Sequence, residues 1–117
     1  MARVGDDCER ASEELTRVFA LLGKRWSGLV VAVLTGGPVR FAELRRAIPG
    51  ISERMLSDRL TELADSGLVV REVFEGPPLG VSYRLTPAGM ALRPSLEELS
   101  RWAHEHLRPS LGPIADC

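Results

Sequence analysis

Two helical patterns separated by a Pro-Gly turn constrain the fold of this chain more than any other feature. Their apolar positions are Phe41, Leu44 and Ile48 in the first pattern, and Met55, Leu56, Leu60, Leu63 and Ala64 in the second. Pro49-Gly50 is a turn dipeptide, Ser52 is the expected N-cap of the second helix, and Gly67 ends that helix. Two helices joined by so short a turn are typical of a helix-turn-helix.

Two more helices are predicted before this pair. The first has Asp6 as its N-cap with Glu9 three residues later, and Gly23 as its stop. Its apolar face consists of Ala11, Leu15, Val18, Phe19 and Leu22. The second lies within residues 23–37, where Val30, Val31 and Val33 also allow a strand. Its length and the Gly36-Gly37-Pro38 break favour a buried helix.

The periodicity changes after Gly67. Residues 68–74 are rich in β-formers, residues 76–80 are a turn cluster, and residues 81–85 alternate between apolar and polar, which predicts a hairpin of two strands. Thr86 as N-cap and Pro87 as first helical residue then begin a final helix that runs to about residue 107. Pro94 lies inside this helix and either bends it or splits it in two.

This order predicts a mainly α protein with a small β-hairpin (α+β), namely a winged helix-turn-helix with additional N- and C-terminal helices. At 117 residues the chain has room for one domain with one core. We expect that domain to span residues 1–107, including terminal dimerisation helices, and residues 108–117 to be a flexible tail.

The net charge is −1, but the charges are unevenly distributed. Residues 23–59 hold seven basic and three acidic side chains, net +4, whereas residues 1–22 are net −2 and residues 60–117 net −3. Such asymmetry is a weak indication of phosphate binding. The longest apolar run, residues 29–34, is far shorter than the roughly 20 residues of a membrane span, and the polar N-terminus is unlike a signal peptide. We therefore expect a cytoplasmic protein with no membrane partner.

Catalytic and metal-binding patterns are missing from the sequence. The two cysteines, Cys8 and Cys117, have no zinc-ligand spacing, and His104 and His106 point in different directions on a helix. There is no Ser/His/Asp set, Gly-rich phosphate loop or pair of catalytic carboxylates. We expect no enzyme activity, no cofactor and no metal site.

Four segments and one tryptophan together resemble the HxlR family of bacterial regulators. The segments are GKRW at 23–26, RFAELRRAIPGIS at 40–52, RMLSDRLTELADSGLVVREV at 54–73 and PPLGVSYRLTPAG at 77–89, and Trp102 also fits. The resemblance covers residues 8–107. It implies a winged helix-turn-helix homodimer that binds double-stranded DNA as repressor or activator, with the terminal helices at the dimer interface.

The chain departs from this family in two places. Family wings often carry a basic residue near the Pro-Pro, but no Lys or Arg stands between Phe74 and Val81 here. In addition, the expected recognition helix, residues 52–66, is net −2. These departures favour the alternative hypothesis, a winged helix used as a protein-interaction module without specific DNA binding.

A recognition helix must turn polar side chains away from the core. If Leu56 points inward, then Arg54, Asp58 and Thr61 point outward at about 100° per residue, and Ser57 lies at the edge. Arg54 suits a guanine, and Asp58 suits a cytosine amino group or an ion pair with Arg54. The plainer interpretation is a solvated helix face.

The other basic residues near this helix are candidate phosphate contacts, which set position and affinity rather than sequence choice. The candidates are Lys24, Arg25, Arg40, Arg45 and Arg46 around the helix-turn-helix, and Arg71 and Arg84 on the wing strands. Ser52, at the start of the helix, is a further candidate for contact with DNA. Each arginine or lysine is otherwise an ordinary surface charge or a member of an internal ion pair. We expect a near-palindromic operator with half-sites about 34–36 Å apart.

Cys8 matches the position of the reactive cysteine in thiol-sensing members of the family, which makes it a candidate redox sensor. The start of a helix favours the thiolate, whereas Asp6, Asp7 and Glu9 disfavour another negative charge. The resemblance thus implies an electrophile or small-molecule effector, and leaves open a purely redox thiol protein. Five aromatic residues also allow a ligand cage, but packing in the core or an interface is the favoured interpretation: Trp26, Phe41, Phe74, Tyr83 and Trp102.

Overall fold

The computed structural model describes residues 12–77 and 79–109. Its elements are α1 Glu13–Leu22, α2 Ser27–Leu34, β1 Val39–Arg40, α3 Phe41–Ala47, α4 Glu53–Asp65, β2 Val69–Phe74, β3 Gly80–Leu85, α5 Pro87–Met90 and α6 Arg93–His106. The mainly helical winged helix with extra terminal helices is therefore confirmed. Across these two ranges, no helix is long and apolar enough to cross a membrane.

The core lies between α2, α3, α4 and the sheet. Its buried apolar residues are Val30, Val31, Leu34, Leu44, Ile48, Ile51, Leu56, Leu60, Leu63, Val69, Tyr83 and Leu85. The valine-rich segment that also allowed a strand is the helix α2, which contributes three of these residues. It is shorter than the predicted segment 23–37 because Trp26 takes a left-handed backbone conformation at its start, with φ of 84°.

The wing has three strands, whereas the sequence predicted two. Its order is β1-β3-β2 and all pairs are antiparallel. The added strand β1 contains only Val39 and Arg40, which pair with Tyr83 and Ser82 of β3. The pairing joins residues more than forty positions apart, so nothing local in the sequence indicates it.

Capping side chains set three of the helix starts. Ser52 Oγ accepts from the backbone N–H of Met55 at 3.0 Å, and Thr86 Oγ1 accepts from that of Gly89 at 3.1 Å, which confirms both predicted caps. Helix α1 begins at Glu13 behind Ser12. The predicted cap pair Asp6 and Glu9 lies outside the described residues.

The final helix is split, one of the two outcomes expected from its proline. A four-residue helix, α5, is followed by α6, and Pro94 occupies the first turn of α6, where its missing N–H costs little. Helix α6 ends at His106. The limits of the domain at residue 107 and of the tail beyond it remain predictions.

Helices α1 and α6 are amphipathic, yet neither has a buried residue. A groove of about 840 Å³ lies between them. Its apolar lining includes the exposed side chains of Leu15, Val18, Phe19, Leu99 and Trp102. Each of these two helices therefore leaves part of its apolar face uncovered by the residues that the structure describes.

Candidate nucleic-acid interface

The corner between α3 and α4 is anchored in the core. Ile48 and Ile51, on either side of the turn, are 3% and 4% exposed. Gly50 between them has φ of 92°, a conformation that glycine adopts without steric cost. The buried isoleucines hold both ends of the turn, so the orientation of α4 relative to α3 is fixed by packing.

Helix α4 has a buried face and a polar outer face. Leu56, Leu60 and Leu63 are at most 2% exposed. The four predicted outer residues are all exposed: Arg54, Ser57, Asp58 and Thr61. The predicted buried and exposed faces of this helix are thus confirmed, while contact of the exposed side chains with DNA stays a prediction.

Arg54 stands without an ion-pair partner among the residues described. In particular, no ion pair links Arg54 to Asp58, although the i, i+4 spacing would allow one. The structure therefore does not support the ion pair between Asp58 and Arg54 that the sequence allowed. Nor does any residue of the described ranges accept a hydrogen bond from the Arg54 guanidinium, so its N–H donors are available to another partner.

Glu62 of α4 forms ion pairs with two basic side chains. One of its carboxylate oxygens, Oε2, lies 3.2 Å from Lys24 Nζ and 3.2 Å from Arg59 Nη2. The Arg59 side chain is only 13% exposed, whereas that of Lys24 is 51% exposed. Part of the Lys24 charge is therefore neutralised within the chain. Sequence reasoning missed Glu62, because Lys24 lies 38 positions away from it.

Arg45, Arg46 and Ser52 come together around a groove of about 680 Å³ between α3 and the start of α4. Arg45 Nε donates to the carbonyl oxygen of Ile51 at 3.4 Å, and its Nη1 lies 3.6 Å from the Glu53 carboxylate. Arg46 is exposed and has no ion pair within the described ranges. The structure thus groups two of the predicted phosphate contacts with Ser52, a predicted DNA contact, at one place.

The wing strands hold three of the predicted basic residues in different states. The guanidinium of Arg40 lies over the Phe74 ring, 4.6 Å from its centre. Arg84 Nε is 3.0 Å from the Glu72 carboxylate, so this charge is paired. Arg71 is exposed, and the structure gives it no ion pair in the part of the wing that it describes.

Gly80 provides the space that Arg40 occupies. A Cβ atom added at Gly80 would collide with Nη1 of Arg40. The arginine therefore crosses β3 at a position without a side chain. Neither this glycine nor the two-residue strand β1 stood out in the sequence as functional.

The remaining predicted residues make other contacts or lie outside the described residues. The guanidinium of Arg25 lies 4.4 Å from the centre of the Trp26 ring. Cys8 and Cys117 are outside the described residues. The aromatic side chains do not form one cage: the Phe41 and Tyr83 rings pack at 6.3 Å, and Trp102 is half exposed on α6.

Comparison with known proteins identifies the family. The HxlR-like helix-turn-helix family matches residues 21–111. The transcriptional regulator YodB of Bacillus subtilis (strain 168) is 43% identical over 96 residues, which cover 82% of this chain and 86% of YodB. The uncharacterised regulator YvaP of the same organism is 46% identical over 90 residues, which cover 77% of this chain and 83% of YvaP.

Solved structures of related regulators have a similar fold. The reduced form of YodB superposes with a TM-score of 0.74 at 41% identity, covering 86% of this chain and 98% of that structure. The redox regulator HypR in its reduced form has a TM-score of 0.74 at 33% identity, covering 80% and 92%. Each of these relatives is named as a regulator, and none as an enzyme. The chain therefore belongs to the HxlR-like helix-turn-helix family and is a transcriptional regulator.

Proposed function

We propose that the chain acts as a homodimer that inserts α4 into the major groove of a near-palindromic operator. The observation that carries this proposal is the exposed polar face of α4, on which the guanidinium of Arg54 has no ion pair in the described structure. An α-helix fits the major groove, and an arginine there binds guanine through two acceptors. Ser57, Asp58 and Thr61 share this face and complete the proposed reading surface.

The phosphate backbone would be held at the edges of α4. Arg46 is the strongest candidate, because it has no ion pair in the described ranges and lines a groove at the start of the helix, where the backbone N–H groups also favour an anion. Arg45 and Ser52 line the same groove, and Arg45 lies 3.6 Å from the Glu53 carboxylate. Arg71 is a candidate on the wing. The other predicted contacts are weaker because each is already engaged within the chain: Lys24, Arg25, Arg40 and Arg84.

The dimer would form through α1 and α6. Both helices expose apolar side chains and neither has a buried residue, so a second copy supplies the surface that would cover them. A two-fold dimer places its two recognition helices one helical turn apart, about 34–36 Å. This symmetry is the reason to expect a near-palindromic operator.

The effector would be thiol-reactive. Structures of YodB are described as reduced, quinone-bound and diamide-treated, and those of HypR as reduced and oxidised. By similarity we propose Cys8 as the sensor of this chain. Quinone or diamide should change the DNA affinity of the wild type and leave Cys8→Ser unaffected. We keep a cytoplasmic location in the proposal, because a regulator must reach the chromosome.

The direct test is selection of bound duplexes from a random pool, followed by binding measurements on the selected sequence and a scrambled one. The proposal predicts an enriched inverted repeat that is bound more tightly than its scrambled control. Equal binding of both duplexes, or no binding at low salt, would contradict the proposal and favour the protein-interaction module.

A further inference from the structure

A second apolar groove, of about 730 Å³, lies between α6 and the helix-turn-helix. On one side it is lined by Ala103, His104 and Leu107 at the C-terminal end of α6. On the other side are Ala47 and Pro49, at the end of α3 and in the turn before α4. The groove therefore touches both the proposed dimerisation helix and the corner that orients α4.

The walls of this groove are apolar and uncovered. Trp26, which precedes α2, Leu29 within α2 and Leu107 after α6 all line it. Leu29 is 55% exposed and Leu107 is 45% exposed, so both side chains remain open to solvent in the chain alone. Concave apolar surfaces of this size are typical of small-molecule sites, where a few polar groups fix the orientation of the ligand.

The polar groups of the groove are basic or neutral. Arg25, Arg108 and His104 line it, and no acidic side chain is present among its described lining residues. The groove between α1 and α6 is different, because Glu98 and Glu105 line it beside one arginine. The charge of the second groove is thus complementary to an apolar anion.

Trp26 and Arg25 form a prearranged contact at this place. The guanidinium of Arg25 lies 4.4 Å from the centre of the Trp26 ring, which holds a cation beside an apolar surface. Trp26 has φ of 84°, a strained conformation for any residue other than glycine. The ring of a ligand can stack on this apolar surface while the guanidinium binds the ligand's carboxylate through two parallel hydrogen bonds.

We propose that this groove binds a small aromatic carboxylic acid in its ionised form. The ring packs between Trp26, Leu29 and Leu107, and the carboxylate is bound by Arg25 and Arg108. Because the groove also contacts Ala47 and Pro49, its occupancy changes the affinity for duplex DNA. That last effect rests on the proposed function, whereas the binding itself does not.

The test uses the two tryptophans of the chain as separate reporters. Trp26 lines this groove and Trp102 lines the groove between α1 and α6. In the nitrogen-labelled full chain the two indole N–H signals are assigned with Trp102→Phe, and 1-naphthoate is titrated without DNA. The Trp26 signal should shift with saturation while the Trp102 signal stays in place. A saturable shift of Trp102 alone, or no shift of Trp26, overturns the proposal.

Charge recognition is tested with a neutral analogue and with matched variants. Naphthalene-1-carboxamide should bind about tenfold more weakly than 1-naphthoate, because a charge-assisted contact is lost. Arg25→Gln and Arg108→Gln should each weaken naphthoate binding several-fold, and Arg93→Gln on the far end of α6 should not. Equal affinity for the acid and the amide contradicts the proposed ligand class.

The other occupant of an apolar groove is a second copy of the chain, and Leu29→Glu separates the two cases. If the groove is a ligand site, the variant loses naphthoate binding and keeps the oligomeric state of the wild type. If the variant instead changes the oligomeric state measured by light scattering, the groove is an interface and the proposed ligand site is wrong.

Discussion

The guanidinium of Arg40 lies 4.6 Å from the centre of the Phe74 ring. Arg40 and Phe74 belong to the two edge strands of the three-stranded sheet, with β3 between them. Arg40 belongs to β1 and is also the N-cap residue of α3, while Phe74 ends β2. Phe74 pairs with Gly80 of β3, the position at which the arginine crosses. The contact therefore joins the edge strand β2 of the wing to the start of α3, the first helix of the helix-turn-helix.

Gly80→Ala should remove the contribution of Arg40 to stability, because the new Cβ displaces its guanidinium. In the wild type, Arg40→Met should lower the free energy of unfolding by about 0.5–1 kcal/mol, the value of an exposed cation–π contact. In the Gly80→Ala background the same substitution should cost almost nothing. Urea unfolding of the four proteins measures this coupling.

Gly76→Ala is the matched control for that cycle. A Cβ at Gly76 meets no atom of the described residues within 4 Å, so Arg40→Met should cost the same in this background as in the wild type. If Arg40→Met costs as much in the Gly80→Ala background as in the wild type, the crossing over Gly80 does not matter.

Glu62→Gln should destabilise the fold more than an ordinary surface substitution. The Arg59 side chain, 13% exposed, would lose its charged partner, at a cost of about 1–3 kcal/mol. Glu97→Gln is the control, because its pair with Arg93 is exposed on α6 and worth about 0.3–0.5 kcal/mol. Equal losses in a thermal or urea denaturation would refute the special role of Glu62.

Arg46→Ala should weaken binding to every duplex and lower the salt dependence. Loss of one phosphate contact reduces the slope of log K against log salt by about one. Arg45→Ala should act in the same direction but change the slope less than Arg46→Ala, because the Glu53 carboxylate lies 3.6 Å from the Arg45 guanidinium. Arg84→Ala should change the slope less, because Glu72 already neutralises that charge. An unchanged slope for both Arg45→Ala and Arg46→Ala would exclude these residues as phosphate contacts.

Leu99→Glu should convert the proposed dimer into a monomer, because it places a charge in the apolar face of α6. Leu79→Glu is the control, since Leu79 is 73% exposed on the wing and Leu99 is 60% exposed. Light scattering after size-exclusion chromatography gives the mass of each variant. If Leu99→Glu has the mass of the wild type, α6 is not the dimer interface.

Much of this fold could be predicted because its signals are local. The 3.6-residue period indicated the inward direction of Leu56 and the outward direction of Arg54, and Ser52 and Thr86 marked two helix starts. The third strand could not be predicted, because β1 has two residues and pairs with a distant strand.

Which basic residues of the site are paired could not be predicted from the sequence. Lys24, Arg40 and Arg84 are simply basic residues in the sequence, but tertiary contacts pair or stack each of them. Only the fold distinguishes them from Arg46 and Arg54, for which the described part of the chain offers no ion-pair partner.

The most direct measurement is the affinity of Arg54→Ala for the selected operator and for a scrambled duplex. We predict that the ratio of the two affinities falls about tenfold or more, since one arginine-guanine contact is worth about 1–3 kcal/mol of discrimination. Arg93→Ala, on the distant α6, should leave the ratio unchanged. An equal loss of affinity on both duplexes would contradict the claim that α4 reads the DNA sequence through Arg54.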